Sequence, residues 1–213
     1  MTLRVPRPVL VTLAVLLAAP AVCLLGCGEP ETEVEQIQRL AERGDVDALA
    51  EKADSPDPEV SRLAVRALVR AGKKAQPAIR RAMHSKRPEV REEAALIYPR
   101  VAARRDEAQE PLTELLRTDP NAKVRASAVT ALGHMTAYEQ MEALFDALDD
   151  PDGMVRQRAA KAVARIMGRK YELFINGPPE KRRQAIEGLR GDWRNEKDAI
   201  SRYYERRFKQ GLE

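Results

Sequence analysis

Four stretches of this 213-residue chain fall on one pattern, and that repeat constrains the fold more than any other feature. They are Val60-Ser61-Arg62-Leu63-Ala64-Val65, Val90-Arg91-Glu92-Glu93-Ala94-Ala95, Val124-Arg125-Ala126-Ser127-Ala128-Val129 and Val155-Arg156-Gln157-Arg158-Ala159-Ala160, with valines 30, 34 and 31 residues apart. With each Val as position 0, position 4 is always Ala. Position 8 is Leu68, Tyr98, Leu132 and Val163, and position 11 is Ala71, Val101, Met135 and Ile166. Positions 0, 4, 8 and 11 share one stripe of an α-helix, so each copy predicts an amphipathic helix with one buried side.

A second amphipathic helix is predicted before each of these, over Asp45 to Ala53, Ala75 to Ser85, Asp106 to Arg117 and Tyr138 to Leu148. Leu49 and Ala53, Ile79 and Met83, and Leu144 and Leu148 keep a fixed distance from the following Val, while Leu112 and Leu116 fit after one inserted residue. Pro58, Pro88, Pro120 and Pro151 stand at or just before the second helix, where a missing N–H costs nothing. Composition agrees: 44% apolar residues with 33% charged and only 4% aromatic exclude a disordered tail and a multi-span membrane protein. A single helix pair cannot bury its own apolar face, so the pairs must stack.

The motif Asp-Pro-x-x-x-Val-Arg-x-x-Ala, as in Asp119-Pro120 with Val124-Arg125 and Asp150-Pro151 with Val155-Arg156, resembles HEAT repeats, particularly the short bacterial kind also found in phycobilin-lyase subunits. The resemblance covers Asp45 to Gly168, although the period is shorter than the ~40–47 residues of typical HEAT units. It implies an all-α, HEAT-like α-solenoid of stacked helix pairs with a helical C-terminal cap. Val34 to Arg43, with Val34, Ile37 and Leu40 on one side, is the expected first helix. The resemblance also implies that the Arg after each Val (Arg91, Arg125, Arg156) pairs with an Asp six residues before it, in its own or a neighbouring unit.

Arg4 and Arg7 precede an apolar run from Val9 to Leu25, broken by Pro20 and closed by Leu24-Leu25-Gly26-Cys27. A cationic start and a short apolar stretch describe an export signal. The run falls short of the ~20 apolar residues that span a hydrocarbon core, so a permanent membrane helix is the second reading. The closing tetrapeptide resembles the lipobox of bacterial lipoproteins, with Leu25 where a small residue is usual. That resemblance implies removal of residues 1–26 and acylation at Cys27, hence a protein exported and lipid-anchored to a bacterial envelope membrane, periplasmic or at the outer surface. Cys23 would leave with the signal and Cys27 would be blocked, leaving no disulfide and no thiolate metal site. Losing Arg4 and Arg7 also takes the formal charge from +4 to +2, which makes nucleic acid an unlikely partner. The expected organisation is a signal peptide over 1–26, the lipidated Cys and an acidic tether over 27–35, the solenoid over 36–168 and a C-terminal segment over 169–213.

That last segment carries 12 Lys+Arg against 8 Asp+Glu and six of the nine aromatics, Tyr171, Phe174, Trp193, Tyr203, Tyr204 and Phe208. Gly177-Pro178-Pro179 predicts a helix to about Arg190, with another from Arg194 to Lys209. Aromatics among basic residues can stack on bases or sugars; packing over the last repeat as a cap is the favoured reading.

On the second helices, positions 3, 6 and 10 flank the buried stripe. The tenth positions form an expected column of Arg70, Arg100, His134 and Arg165, with Arg158 and Lys161 beside its end and Arg66 near its start. Such a ridge suits an acidic protein segment or an anionic polymer. Catalysis has little to stand on: His84 and His134 belong to no ligand motif, and no nucleophile elbow or phosphate-binding Gly loop is present. Glu92 and Glu93 are expected on an outward, solvated face. The expectation is a membrane-anchored, non-catalytic protein–protein interaction scaffold of the cell envelope, without cofactor, metal or small-molecule substrate. The alternatives are a phycobilin-lyase-like enzyme, or a binder of nucleic acid or anionic polymer.

Overall fold

The computed structural model describes residues 31–168 and 177–211. The signal segment, Cys27, Tyr171 and Phe174 lie outside these described residues. The described residues fold as an all-helical stack of helix pairs, an α-solenoid.

The stack opens with α1 (Glu33–Arg43), started by a capping box in which Thr32 and Glu35 satisfy each other's backbone N–H and ended by Gly44 at φ 65°. Four pairs follow: α2 (Val46–Ala53) with α3 (Pro58–Leu68), α4 (Gln76–Ala82) with α5 (Pro88–Val101), α6 (Arg105–Thr118) with α7 (Ala122–His134), and α8 (Met141–Ala147) with α9 (Gly153–Ile166). Asp57, Asn121 and Asp152 cap three of the second helices through their side chains, and Pro58 and Pro88 occupy first-turn positions of α3 and α5. The predicted stripe is the core: Val60, Ala64 and Leu68, Val90, Ala94 and Tyr98, Val124, Ala128 and Leu132, and Val155, Ala159 and Val163 are all buried.

The helices form two layers, α1, α3, α5, α7 and α9 in one and α2, α4, α6 and α8 in the other. The first layer is the more tightly apposed. Small residues make this possible: a Cβ on Gly133 of α7 would come 2.8 Å from the Ala162 Cβ of α9. The looser second layer leaves open grooves between successive helices, including a pocket beside α6.

Polar rungs tie the pairs together. Arg91 forks onto Asp119 (Nε to Oδ2 2.6 Å, Nη2 to Oδ1 2.8 Å) and Arg125 onto Asp150 (2.8 and 2.9 Å). Each Arg therefore reaches the Asp of the following unit, and its Nη1 donates to the carbonyl six residues back in its own unit, Ser85 O and Asp119 O respectively. Both pairs are largely buried, and the hydrogen bond that each guanidinium donates to its carboxylate raises it further above its already basic range.

The first joint is wired differently. Ser61 stands where the Arg would be and donates to Ala53 O, while Arg87, at the N-cap position of α5, reaches back from the following unit to Ser55 O, Ala53 O and Ser61 Oγ. Arg87 offers α5 no side-chain cap as a result.

The segment after residue 176 departs from the expectation of two helices. It is one helix, α10 (Pro179–Lys209), of 31 residues. Gly188 and Gly191 cost about 1 kcal/mol each in a helix interior but do not break it, because the following turns are rich in good helix formers. Ile186, Leu189 and Trp193 are its buried residues, and α8 is among the helices it packs on.

Candidate partner-binding surface

All seven side chains singled out on the second helices, Arg66, Arg70, Arg100, His134, Arg158, Lys161 and Arg165, are exposed. The fold divides them into three neighbourhoods. His134 from α7 and Arg158, Lys161 and Arg165 from α9 line one open groove of about 150 Å³, floored by Val129, Gly133 and Ala162. The Gly133–Ala162 approach explains the grouping, since it brings the two helices close enough for their flanking cations to share a cleft. Arg165 Nη1 lies 3.3 Å from His134 Nδ1. A guanidinium can only donate, so the contact is a hydrogen bond when the imidazole presents a lone pair at Nδ1. Among the described residues Arg158 and Lys161 have no ion-pair partner, which leaves them available to an anion.

Arg100 stands one step along the column, sharing with His134 a second pocket that Arg105 and Phe208 also line. Arg66 and Arg70 are separate. They border a groove with Val34, Ile37 and Leu63 at the α1 end. α3 ends at Leu68 and the chain continues as a 3-10 segment, Val69–Ala75, with Gly72 at φ 56°, and Arg70 stays beside Arg66 in the lining of that groove.

Arg66 is already engaged. Its Nε and Nη2 fork onto Glu93 at 2.7 and 2.8 Å. Glu93, expected to be solvated, is 7% exposed, and the correction has a clear cause. Position 6 of one second helix lies against position 3 of the next, so Glu93 is covered by its neighbour and compensated by Arg66.

Arg105 is a residue that the sequence pattern did not single out. From the start of α6 it donates to Met135 O at 2.9 Å and to Thr136 O, holding the turn in which Thr136 adopts φ 54°. Its guanidinium lies 4.1 Å from the Phe208 ring centroid and 5.6 Å from that of Tyr138, and Tyr138, Tyr204 and Phe208 stack on one another. Tyr204 donates to the Arg165 and Ile166 carbonyls at the end of α9. Tyr204 and Phe208 of α10 are thus committed to the solenoid around Arg105, while Trp193 is buried further back along the helix and Tyr203 is 46% exposed. At the other end of α10, Arg182 and Arg183 hold Asp149. Burial alone would raise the Asp149 carboxyl, but the two guanidiniums outweigh it and the group sits below its ordinary range.

Among the described residues no cluster of His, Cys, Asp and Glu could hold a metal ion, and no helix is long and apolar enough to cross a membrane.

Comparison with known proteins agrees with this architecture. Residues 109–173 match the family model described as HEAT repeats. No curated protein matches the chain. Among solved structures, an engineered protein is 26% identical with a TM-score of 0.42, over 62% of this chain and 66% of its own, so the match spans just under two thirds of that protein. A designed armadillo repeat protein in complex with the peptide (KR)4 is 24% identical with a TM-score of 0.43, over 71% of this chain and 74% of its own. Residues 109–173 are thus similar to HEAT repeats, and α1 to α5 extend the same helix-pair plan ahead of the matched segment.

Proposed function

We propose that this chain is a non-catalytic protein–protein interaction scaffold, exported and held to a bacterial envelope membrane by lipid on Cys27, which engages an acidic segment of its partner through the groove between α7 and α9. The observation that carries the binding reading is the convergence of His134, Arg158, Lys161 and Arg165 on one open groove, while the arginines of the rungs are buried and paired. Exposed cations on a rigid helical layer attract a negative segment and fix its register without requiring the scaffold to move. The lipid anchor is supported by Leu24-Leu25-Gly26-Cys27 alone. Several acyl chains, at about 0.8 kcal/mol for each buried CH₂, would make that anchor effectively permanent.

Two measurements test the proposal. Intact mass of protein from bacterial membranes is expected to match residues 27–213 plus acyl chains, and Cys27→Ala is expected to lose both the added mass and the membrane fraction. An unlipidated full-length mass overturns the anchor. A labelled peptide of alternating Glu and Ala is expected to bind the chain and to lose about tenfold in affinity with Arg158→Glu and Arg165→Glu together, at unchanged melting temperature. Unchanged affinity removes the groove from consideration. Stronger binding to a polyphosphate, with a steep dependence on salt, moves the reading to an anionic polymer.

A further inference from the structure

The opposite layer carries a site of the other sign. A pocket of about 600 Å³ opens between α6 and the 3-10 turn leading into α8, lined among others by Asp106, Gln109, Glu110, Glu114, Arg117 and Glu139. Asp106 is paired with Arg104, and Glu139 with Arg105. Glu110 and Glu114 are exposed and have no ion-pair partner among the described residues. Gln109 in the lining is 3% exposed, and no side-chain hydrogen bond is formed by its amide. The amide is open to the pocket rather than sealed beneath it, since among the described residues the fully buried side-chain polar atoms without a partner are Arg62 Nε and Tyr98 OH, and it is therefore free to hydrogen-bond a guest.

The repeat shows what such a pair accepts. Glu110 and Glu114 lie two residues before and two after the buried Leu112 of α6, and Glu142 and Asp146 occupy the same places around Leu144 of α8. On α8 that pair is occupied. Arg190 of α10 donates through Nη1 to Glu142 and through Nη2 to Asp146 at 2.6 Å, with its guanidinium 5.4 Å from the centroid of the Phe145 ring. In α6 the residues matching Met141 and Phe145 of α8 are Gln109 and Thr113, so a hydrogen-bonding amide takes the place of an apolar floor. The carboxylates here do not converge tightly enough to hold a metal ion. A planar, multiply donating cation suits two carboxylates one turn apart above an amide oxygen better than a point charge does.

The geometry points to the α6 pocket as a docking site for a basic polypeptide segment that presents an arginine between Glu110 and Glu114, with Gln109 accepting from the same guanidinium. This surface lies on the helix layer opposite the cationic groove, and its assignment does not depend on that groove's role.

The probe is a short labelled peptide of alternating Arg and Ala, titrated into the full chain in detergent by fluorescence anisotropy, beside a peptide with Lys in place of Arg. The Arg peptide is expected to bind more tightly. Glu110→Lys with Glu114→Lys is expected to weaken it by about tenfold or more, and Gln109→Met, which installs the residue α8 carries there, by about threefold. Glu42→Lys, on the exposed face of α1, is the control for overall charge and is expected to leave affinity unchanged. Thermal unfolding followed by circular dichroism checks that each variant folds, and Glu110→Gln with Glu114→Gln replaces the lysine pair if that pair does not. Equal losses from Glu42→Lys and from the α6 pair overturn the site. So does equal affinity for the Arg and Lys peptides together with no effect of Gln109→Met, because diffuse attraction would then explain the binding.

Discussion

The joint between α3 and α5 and the joints between α5, α7 and α9 hold the same kind of helix stack by different polar means. In the later joints a buried fork runs forward from Arg91 to Asp119 and from Arg125 to Asp150. In the first joint the rung position is held by Arg87, which comes from the following unit and donates to two carbonyls and a hydroxyl, while the forward fork runs from a different position, Arg66 to Glu93. The apolar stripe is continuous through both, which shows that the stripe determines the stack and the polar rung only has to satisfy the groups that the stack buries. The family model matches 109–173, where the rungs are regular, although α3 and α5 use the same architecture.

The largest expected effect that tests this difference comes from Asp119→Ala. The Arg91 side chain is 12% exposed and the Asp119 side chain 3%, so the substitution leaves a buried guanidinium without its counter-charge and is expected to cost about 3–5 kcal/mol in urea unfolding. Arg87→Ala removes bonds to neutral acceptors and strands no opposite charge, and about 1–2 kcal/mol is expected. Equal losses from the two would mean that the joints are energetically alike and that the contrast is only one of wiring. The smallest effect concerns α10. Burial raises both Tyr138 and Tyr204 above the ordinary tyrosine range, so the fold favours their neutral forms. The stabilisation is therefore complete below that range and lost as pH climbs through the raised values. Alkaline titration is expected to loosen α10 before the helix pairs, read by a shift in the fluorescence of Trp193, the single Trp of the chain. Tyr204→Phe, which removes the bonds to the Arg165 and Ile166 carbonyls, is expected to cost below about 1 kcal/mol and to shrink that alkaline shift. An alkaline transition of full size in Tyr204→Phe would assign it to Tyr138 alone.

The helix pairs were legible in the sequence because burial at positions 0, 4 and 8 follows from the helical period without any knowledge of neighbours. What the sequence left open depends on contacts across the stack. The direction of the rungs could not be read, since Arg125 is six residues from Asp119 in its own unit while its fork goes to Asp150. Glu93 reads as solvated until Arg66 is placed beside it. Arg87 occupies an N-cap position, where its long-range role leaves no local signature. The gap expected between Arg190 and Arg194 closes because Ile186, Leu189 and Trp193 pack as one face of a continuous helix, a contact that the sequence alone does not display. For the candidate surface, positional reasoning found His134, Arg158, Lys161 and Arg165, which share a groove. It also included Arg66, whose carboxylate partner comes from the next helix, and Arg70, which lines a separate groove beside Arg66.

Because each regular rung is split, with its cation in one unit and its anion in the next, every unit that carries both halves is an interchangeable cassette. A tandem duplication of the segment bearing Asp119 and Arg125 would complete its own new rung, with the Arg of the first copy meeting the Asp of the second in the same geometry. The same insertion would complete no such rung between α3 and α5, where Arg87 donates to Ser61 Oγ and to the Ala53 and Ser55 carbonyls instead of a carboxylate. The molecule therefore has a fixed beginning and an extensible middle. Change in length over evolutionary time, or by engineering, is expected to fall after α5, and with it the number of grooves on either layer.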